Sequence, residues 1–174
     1  GFEFSAPIHY DYLTFLIFLM PINFFIEWQK WNVILENQTV DGRQKFHSFL
    51  SGIVSAVITP AYAGNFIGRM LYFPKSSRKS IIINTLASNG SQFIISIVMG
   101  VIAFQFIYSG SISLFYQILL FLANASLIIL YFVGENFIQK LPFQFLKDLG
   151  DAVVSKKLRF RLLALSMLRY IVFV

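Results

Sequence analysis

Residues 51–80 read SGIVSAVITPAYAGNFIGRMLYFPKSSRKS. Both flanks of this stretch are apolar, yet its middle runs Thr59-Pro60-Ala61-Tyr62-Ala63-Gly64-Asn65. Proline, glycine and asparagine are poor helix-interior residues. The break divides the segment 46–73 into two apolar pieces, Phe46 to Ile58 and Tyr62 to Phe73. As helices of about 12 residues each they reach about 18 Å, little past the middle of a bilayer. Two readings are open. The segment is either one Pro-kinked spanning helix, or a hairpin that enters the membrane and turns back at a tip made by Thr59, Pro60, Gly64 and Gly68. Proline at such a tip removes a donor that no water could satisfy, while Gly64 and Gly68 permit close backbone approach.

The surrounding chain is membrane-like. Of its 174 residues 57% are hydrophobic and 13% charged, with mean hydropathy +0.70, where soluble domains carry about 25% charged residues. From Ser80 to Gly134 there is no Asp, Glu, Lys or Arg, far beyond the ~20 residues that one spanning helix needs. The expected spans are about 12–31, 81–108 and 112–133, with a fourth at 160–174. A basic amphipathic segment at about 135–159 separates the last two. Tyr10, Tyr12, Trp28 and Trp31 are placed as interfacial aromatics at the ends of the first span. Pro21 is tolerable within a membrane helix. The expected fold class is all-α: a polytopic transmembrane bundle with a re-entrant hairpin at about 46–73. The whole of 1–174 is read as a single membrane domain. Gly1 to Phe4 offers neither an initiator Met nor a basic leader, and the last apolar run stops after 15 residues. The chain is therefore expected to be a piece of a longer membrane protein.

Lysine and arginine favour the hairpin. With a re-entrant hairpin, Arg43, Lys45, Lys75, Arg78, Lys79 and all the bases from Lys140 to Arg161 share one side, and the opposite face has none. A single crossing would split them, against the positive-inside bias. A net charge of +6 on so apolar a chain points to the cytoplasmic leaflet and not to nucleic acid.

Polar groups inside the apolar spans are the functional candidates. Asn23, Glu27 and Lys30 share one helical face, and Arg69 lies about one turn before the hairpin ends. Lys30 and Arg69 either snorkel to the interface with Glu27 as partner, or hold an anionic headgroup whose phosphate suits the arginine fork. In the next span Asn84, Ser88 and Ser91 form one stripe, and Thr85, Asn89, Gln92 and Ser96 another beside it. Such residues either bond neighbouring helices or line a polar groove. Asn124 and Ser126 are expected to make interhelical contacts, and Glu135 to be solvated. The lipid-headgroup set is Arg69, Lys30, Glu27, Asn65, Asn89 and Gln92.

No catalytic set emerges. There is no cysteine, His9 and His47 have no ligand spacing, and Gly64-Asn65-Phe66-Ile67-Gly68 lacks the ending of a nucleotide-binding loop. The expectation is no metal, no cofactor and no enzyme chemistry within this piece.

The motif Thr59-Pro60 with Gly64-Asn65 and Gly68-Arg69, after a span ending Glu27-Trp28-Gln29-Lys30-Trp31, resembles the lysylphosphatidylglycerol synthase transmembrane region. That flippase-like bacterial membrane family is related to the N-terminal part of multiple peptide resistance factor. The likeness covers about Tyr12 to Val133. It implies a polytopic protein of the bacterial inner membrane that binds and translocates a polar, anionic or aminoacylated lipid. The expected partners are membrane lipids, with an oligomer also open. Two departures stand out: Asn65 where members often carry Glu, and an uncharged Leu86 to Gln92 where many carry an acidic-basic pair. The alternatives are a membrane-embedded scaffold or accessory subunit of an envelope-modifying system, and the membrane part of a transferase with catalysis elsewhere.

The absence of cysteine makes the topology testable by single-cysteine labelling in cells. With an impermeant thiol reagent on the full-length protein, Cys at Thr39 and at Ser76 is expected to be protected and Cys at Ser111 labelled. Thr39 and Ser76 on opposite sides would overturn the re-entrant reading.

Overall fold

In the computed structural model, residues 10–36, 38–59, 64–108, 110–138 and 156–173 are described. They form six helices and no strand: α1 (Tyr10–Ile34), α2 (Gly42–Ile58), α3 (Gly64–Met70), α4 (Lys75–Ile107), α5 (Leu114–Ile138) and α6 (Lys156–Phe173). Three are long and apolar enough to cross a membrane, over Tyr12–Ile34, Lys75–Ile107 and Leu114–Val133. The fourth expected span falls in α6, which is not among these three; it carries Lys156, Lys157, Arg159, Arg161 and Arg169. Pro60 and the tip residues to Ala63, and most of the expected amphipathic segment 135–159, lie outside the described residues.

Two boundaries differ from expectation. The span expected from 81 begins earlier, at Lys75: Pro74, extended at φ −61° and ψ 153°, precedes the first turn of α4. A proline just ahead of a helix sacrifices no intrahelical donor. At 33 residues, α4 is about 50 Å long, so Lys75, Arg78 and Lys79 extend past the ~30 Å of a hydrocarbon core. The hairpin also starts earlier than residue 46, since α2 begins at Gly42.

The segment 46–73 is not one kinked rod. Gln44 Nε2 donates to the Tyr72 carbonyl, Gly52 faces Arg69, Gly68 lies on Ser51, and Gly64 lies on Ser55. These pairs converge from opposite chain directions, so α2 and α3 are antiparallel. The approach is backbone to backbone. A Cβ at Gly64 would stand 2.5 Å from Thr59 Oγ1 and closer still to the Ser55 carbonyl oxygen; one at Gly68 would meet Ser55 Oγ at 2.5 Å and the Ser51 carbonyl oxygen nearer yet. Thr59, extended as a residue before proline prefers to be, satisfies two backbone groups at the turn. Its hydroxyl donates to the Ser55 carbonyl (2.7 Å) and accepts from the Gly64 N–H (2.6 Å).

The remaining helices pack in fixed register. α5 runs antiparallel to α4: Tyr131 OH meets Ser91 Oγ (2.7 Å), Asn124 Nδ2 donates to Val98 O (3.3 Å) and Gln105 Nε2 to Gln117 O (2.7 Å). Asn124 thus joins two helices as expected, whereas Ser126 donates to Ala123 O of its own helix. α6 runs antiparallel to α1, with Arg161 paired to Glu36 and Arg169 reaching Glu27. Buried Arg159 donates to the Tyr131 and Phe132 carbonyls, at 3.3 and 3.2 Å. A core of Trp31, Ile34, Leu35, Phe49, Phe73, Ile81 and Leu162 joins α1, α2, α4 and α6 at one end. Trp31 is therefore no interfacial anchor. It is fully buried, with Nε1 bonded to Lys45 O and Ser48 Oγ, both at 3.2 Å. Trp28 packs edge-on against Phe46 and Phe49. The outer faces of α1 and α5, including Phe15, Phe18, Phe115 and Phe121, are left exposed, an apolar surface that suits lipid.

Gly64→Ala and Gly68→Ala are expected to lower the apparent melting temperature in detergent, each costing about 1–3 kcal/mol through overpacking. Gly90→Ala, where an added Cβ meets nothing within 4 Å, is expected to be neutral or to stabilise by up to about 1 kcal/mol.

Candidate functional site: a buried ionic cluster and its cavity

Glu27 lies two turns before the end of α1, on the face it shares with Asn23 and Lys30. Three cations converge on it. Arg69 Nη2, from α3, donates to Oε1 at 3.0 Å. Arg169 Nη1, from α6, donates to Oε2 at 2.7 Å. Lys30 Nζ stands 3.8 Å from Oε2 and donates to the Ser88 carbonyl of α4 at 3.3 Å. Arg169 is fixed further by Nε, which donates to Asn23 Oδ1 at 2.7 Å. Lys30 and Arg69 are each 1% exposed, so neither snorkels to the surface.

The Arg69 guanidinium lies over the Trp31 ring, 4.5 Å from its centroid, with Phe49 at 6.0 Å. The aromatic face holds the guanidinium plane while its edge reaches Glu27. Arg69 passes α2 at Gly52, where a Cβ would fall 2.6 Å from Arg69 Cγ, 2.8 Å from its Nε and 2.9 Å from Asn65 Oδ1. A side chain at 52 would displace the arginine.

Beside the cluster opens a cavity of about 770 Å³. Its polar wall is Asn23, Glu27, Asn65, Arg69, Asn89, Gln92, Ser96 and Arg169; its apolar wall includes Phe24, Ile53, Val57, Phe66, Leu86 and Phe93. Three buried polar atoms on this wall have no hydrogen-bond partner: Arg69 Nε, Asn65 Oδ1 and Gln92 Oε1. Among the described residues no group of three His, Asp or Glu side chains could hold a metal ion.

Five of the six residues expected to meet a headgroup, Glu27, Arg69, Asn65, Asn89 and Gln92, line this cavity. Lys30 does not; it sits behind Glu27 against α4. The two polar stripes of α4 divide in role. Asn84, Ser88 and Ser91 are buried against other helices, while Asn89, Gln92 and Ser96 face the cavity. Thr85 leaves the second stripe, buried and bonded to Ile81 O. Sequence reasoning missed Arg169 and Gly52. Each left a signal: a lone cation in an apolar run, and an isolated glycine within a helical pattern.

Comparison with known proteins gives no matching family model, no matching curated protein and no matching solved structure.

Glu27→Gln would leave three cations facing one another. Breaking a buried ionic network from one side costs about 3–5 kcal/mol, so a large fall in thermal stability is expected. Glu27→Gln combined with Arg169→Gln is expected to recover part of it, a coupling that a double-mutant cycle measures.

Proposed function

We propose that this protein binds and translocates a polar lipid with an anionic headgroup, in a bacterial cytoplasmic membrane. The observation that carries the reading is the cavity itself: Arg69 and Arg169 share its lining with apolar side chains, in a chain with three helices able to span a membrane. A lipid has the same two-sided chemistry. Its phosphate suits the arginine forks, and its first methylenes suit Phe24, Phe66 and Phe93.

In this reading the α2–α3 hairpin re-enters the membrane from the cytoplasmic side. Its tip can lie at membrane depth because Thr59 satisfies both the Ser55 carbonyl and the Gly64 N–H, as non-helical backbone there must be satisfied within the protein. Gly52 and Gly68 hold α3 close enough to α2 for Arg69 to reach across to Glu27. Glu27 then acts as the resident counter-ion, keeping the arginines placed until a headgroup arrives. The resemblance to flippase-like lysylphosphatidylglycerol synthase membrane regions agrees with this role.

A second reading, a membrane-embedded scaffold, is favoured by one observation: Gln92 also ties α4 to α6 through the Ser166 carbonyl (3.4 Å). It predicts that changes at Asn89 and Gln92 lower stability alone.

The test is transfer of a fluorescent anionic phospholipid across liposomes holding the full-length protein. Arg69→Ala is expected to abolish transfer with normal expression, and Asn89→Ala to slow it without lowering the melting temperature. Unchanged transfer at normal protein level in Arg69→Ala would sink the assignment.

A further inference from the structure

The charge count of the cavity goes further than its polarity. Three cationic side chains from three helices, Lys30, Arg69 and Arg169, surround a single carboxylate, Glu27. The cluster therefore carries two positive charges in excess. Among the described residues no other wall supplies the missing negative charge. From α2 the cavity receives Ile53, Ala56 and Val57, and from α4 Leu86, Asn89, Gln92, Phe93 and Ser96, all uncharged. An uncompensated pair of charges in so buried a place is costly, and a ligand that brings the counter-charge recovers that cost.

Resting on the lipid-binding reading above, we infer that the site is matched to a phosphate monoester, whose terminal phosphate is close to a dianion near neutral pH. A monoester cancels the excess. A phosphodiester brings one negative charge and leaves one cation unmatched. An aminoacylated phosphodiester, whose one or two ammonium groups cancel or outweigh its single phosphate charge, leaves the excess in place or adds to it.

The donors agree with the count. Arg69 uses Nη2 on Glu27 while its Nε, equally buried, has no acceptor. A phosphate oxygen drawn to that N–H would leave the Arg69–Glu27 pair intact, and a terminal phosphate has three such oxygens to distribute. Arg169, on the same wall, offers its guanidinium beside Glu27. The unpartnered Asn65 Oδ1 belongs to an amide that presents its NH₂ donor after a half-turn about the terminal bond, whereas the Gln92 amide is already held by the Ser166 carbonyl. The shared chemistry is a dianionic phosphate ester; a lipid monophosphate and a soluble phosphate are its two sources.

Trp31 is a built-in reporter, because the Arg69 guanidinium lies on its ring. Trp28→Phe in the full-length protein leaves Trp31 as the tryptophan of residues 1–174. In detergent at about pH 7, where a monoester is largely dianionic, its emission would be titrated with four probes: dioctanoyl phosphatidic acid, the same lipid as its phosphate methyl ester, glycerol 3-phosphate and inorganic phosphate. Phosphatidic acid is expected to bind about tenfold more tightly than its methyl ester, which differs by one charge and one methyl group. Arg169→Gln and Gln92→Glu each remove one unit of excess charge, the first by deleting a cation and the second by adding an anion. Both are expected to bring that ratio toward one, which a loss of folding alone would not do. Lys75→Gln, exposed and outside the cavity, should leave it unchanged.

Equal affinity for the two lipids in the Trp28→Phe protein, with binding still lost in Arg69→Ala, would overturn the monoester match and leave the anionic-lipid reading standing. Inorganic phosphate binding as tightly as phosphatidic acid would keep the charge match and overturn the lipid. No response of Trp31 to any of the four probes would overturn both.

Discussion

The structure depends on one carboxylate. Glu27 is the only acidic side chain in contact with Lys30, Arg69 and Arg169 among the described residues, and those cations arrive on α1, α3 and α6. A charge buried away from water persists only if it is paired and hydrogen-bonded. Both Glu27 oxygens are engaged, one by each arginine. This fixes the relative position of three helices more sharply than apolar packing between membrane helices could, since lipid competes with protein for apolar contact. The cavity opens beside this same cluster, with Glu27, Arg69 and Arg169 on its wall.

The cluster in turn requires the glycines. Arg69 is long enough to reach Glu27 only because α3 lies directly on the α2 backbone, and it does so where Gly64 and Gly68 carry no side chain. Gly52 supplies the matching space on α2, a slot filled by the arginine stem itself. Hairpin, ion cluster and cavity are thus one construction. The α2–α3 pairing sets Arg69, Arg69 shapes the polar wall, and the apolar wall follows from the faces of α1, α2, α3 and α4 that remain.

At the other end of the cluster, Trp31 connects electrostatics to packing. Its ring supports the Arg69 guanidinium, its indole N–H bonds Lys45 O and Ser48 Oγ, and its edge meets Phe73 in the apolar core. Aromatic residues near the end of a membrane helix ordinarily face the interface. Here the tryptophan faces inward because α2 and the chain leaving α3 cover it.

By itself the sequence determined the all-helical class, three of the four expected apolar spans and the identity of most polar groups on the cavity wall. A charge-free run of more than fifty residues has few other solutions, and intramembrane polar residues are too costly to be incidental. The Thr-Pro break with its glycines also marked where the chain would turn. Only the tertiary structure decided which polar groups meet. Periodicity places Asn89 and Asn84 on adjacent stripes of one helix, but the packing of α5 and α6 selects which stripe is buried. Arg169, 142 residues beyond Glu27, could be joined to it only by the antiparallel docking of α6 on α1. Nor could local pattern assign Lys30 to the far side of Glu27, since its position depends on a carbonyl of α4. Helix formation and membrane insertion follow from chemistry within one turn or one span; an ion cluster drawn from three helices follows from how those helices pack.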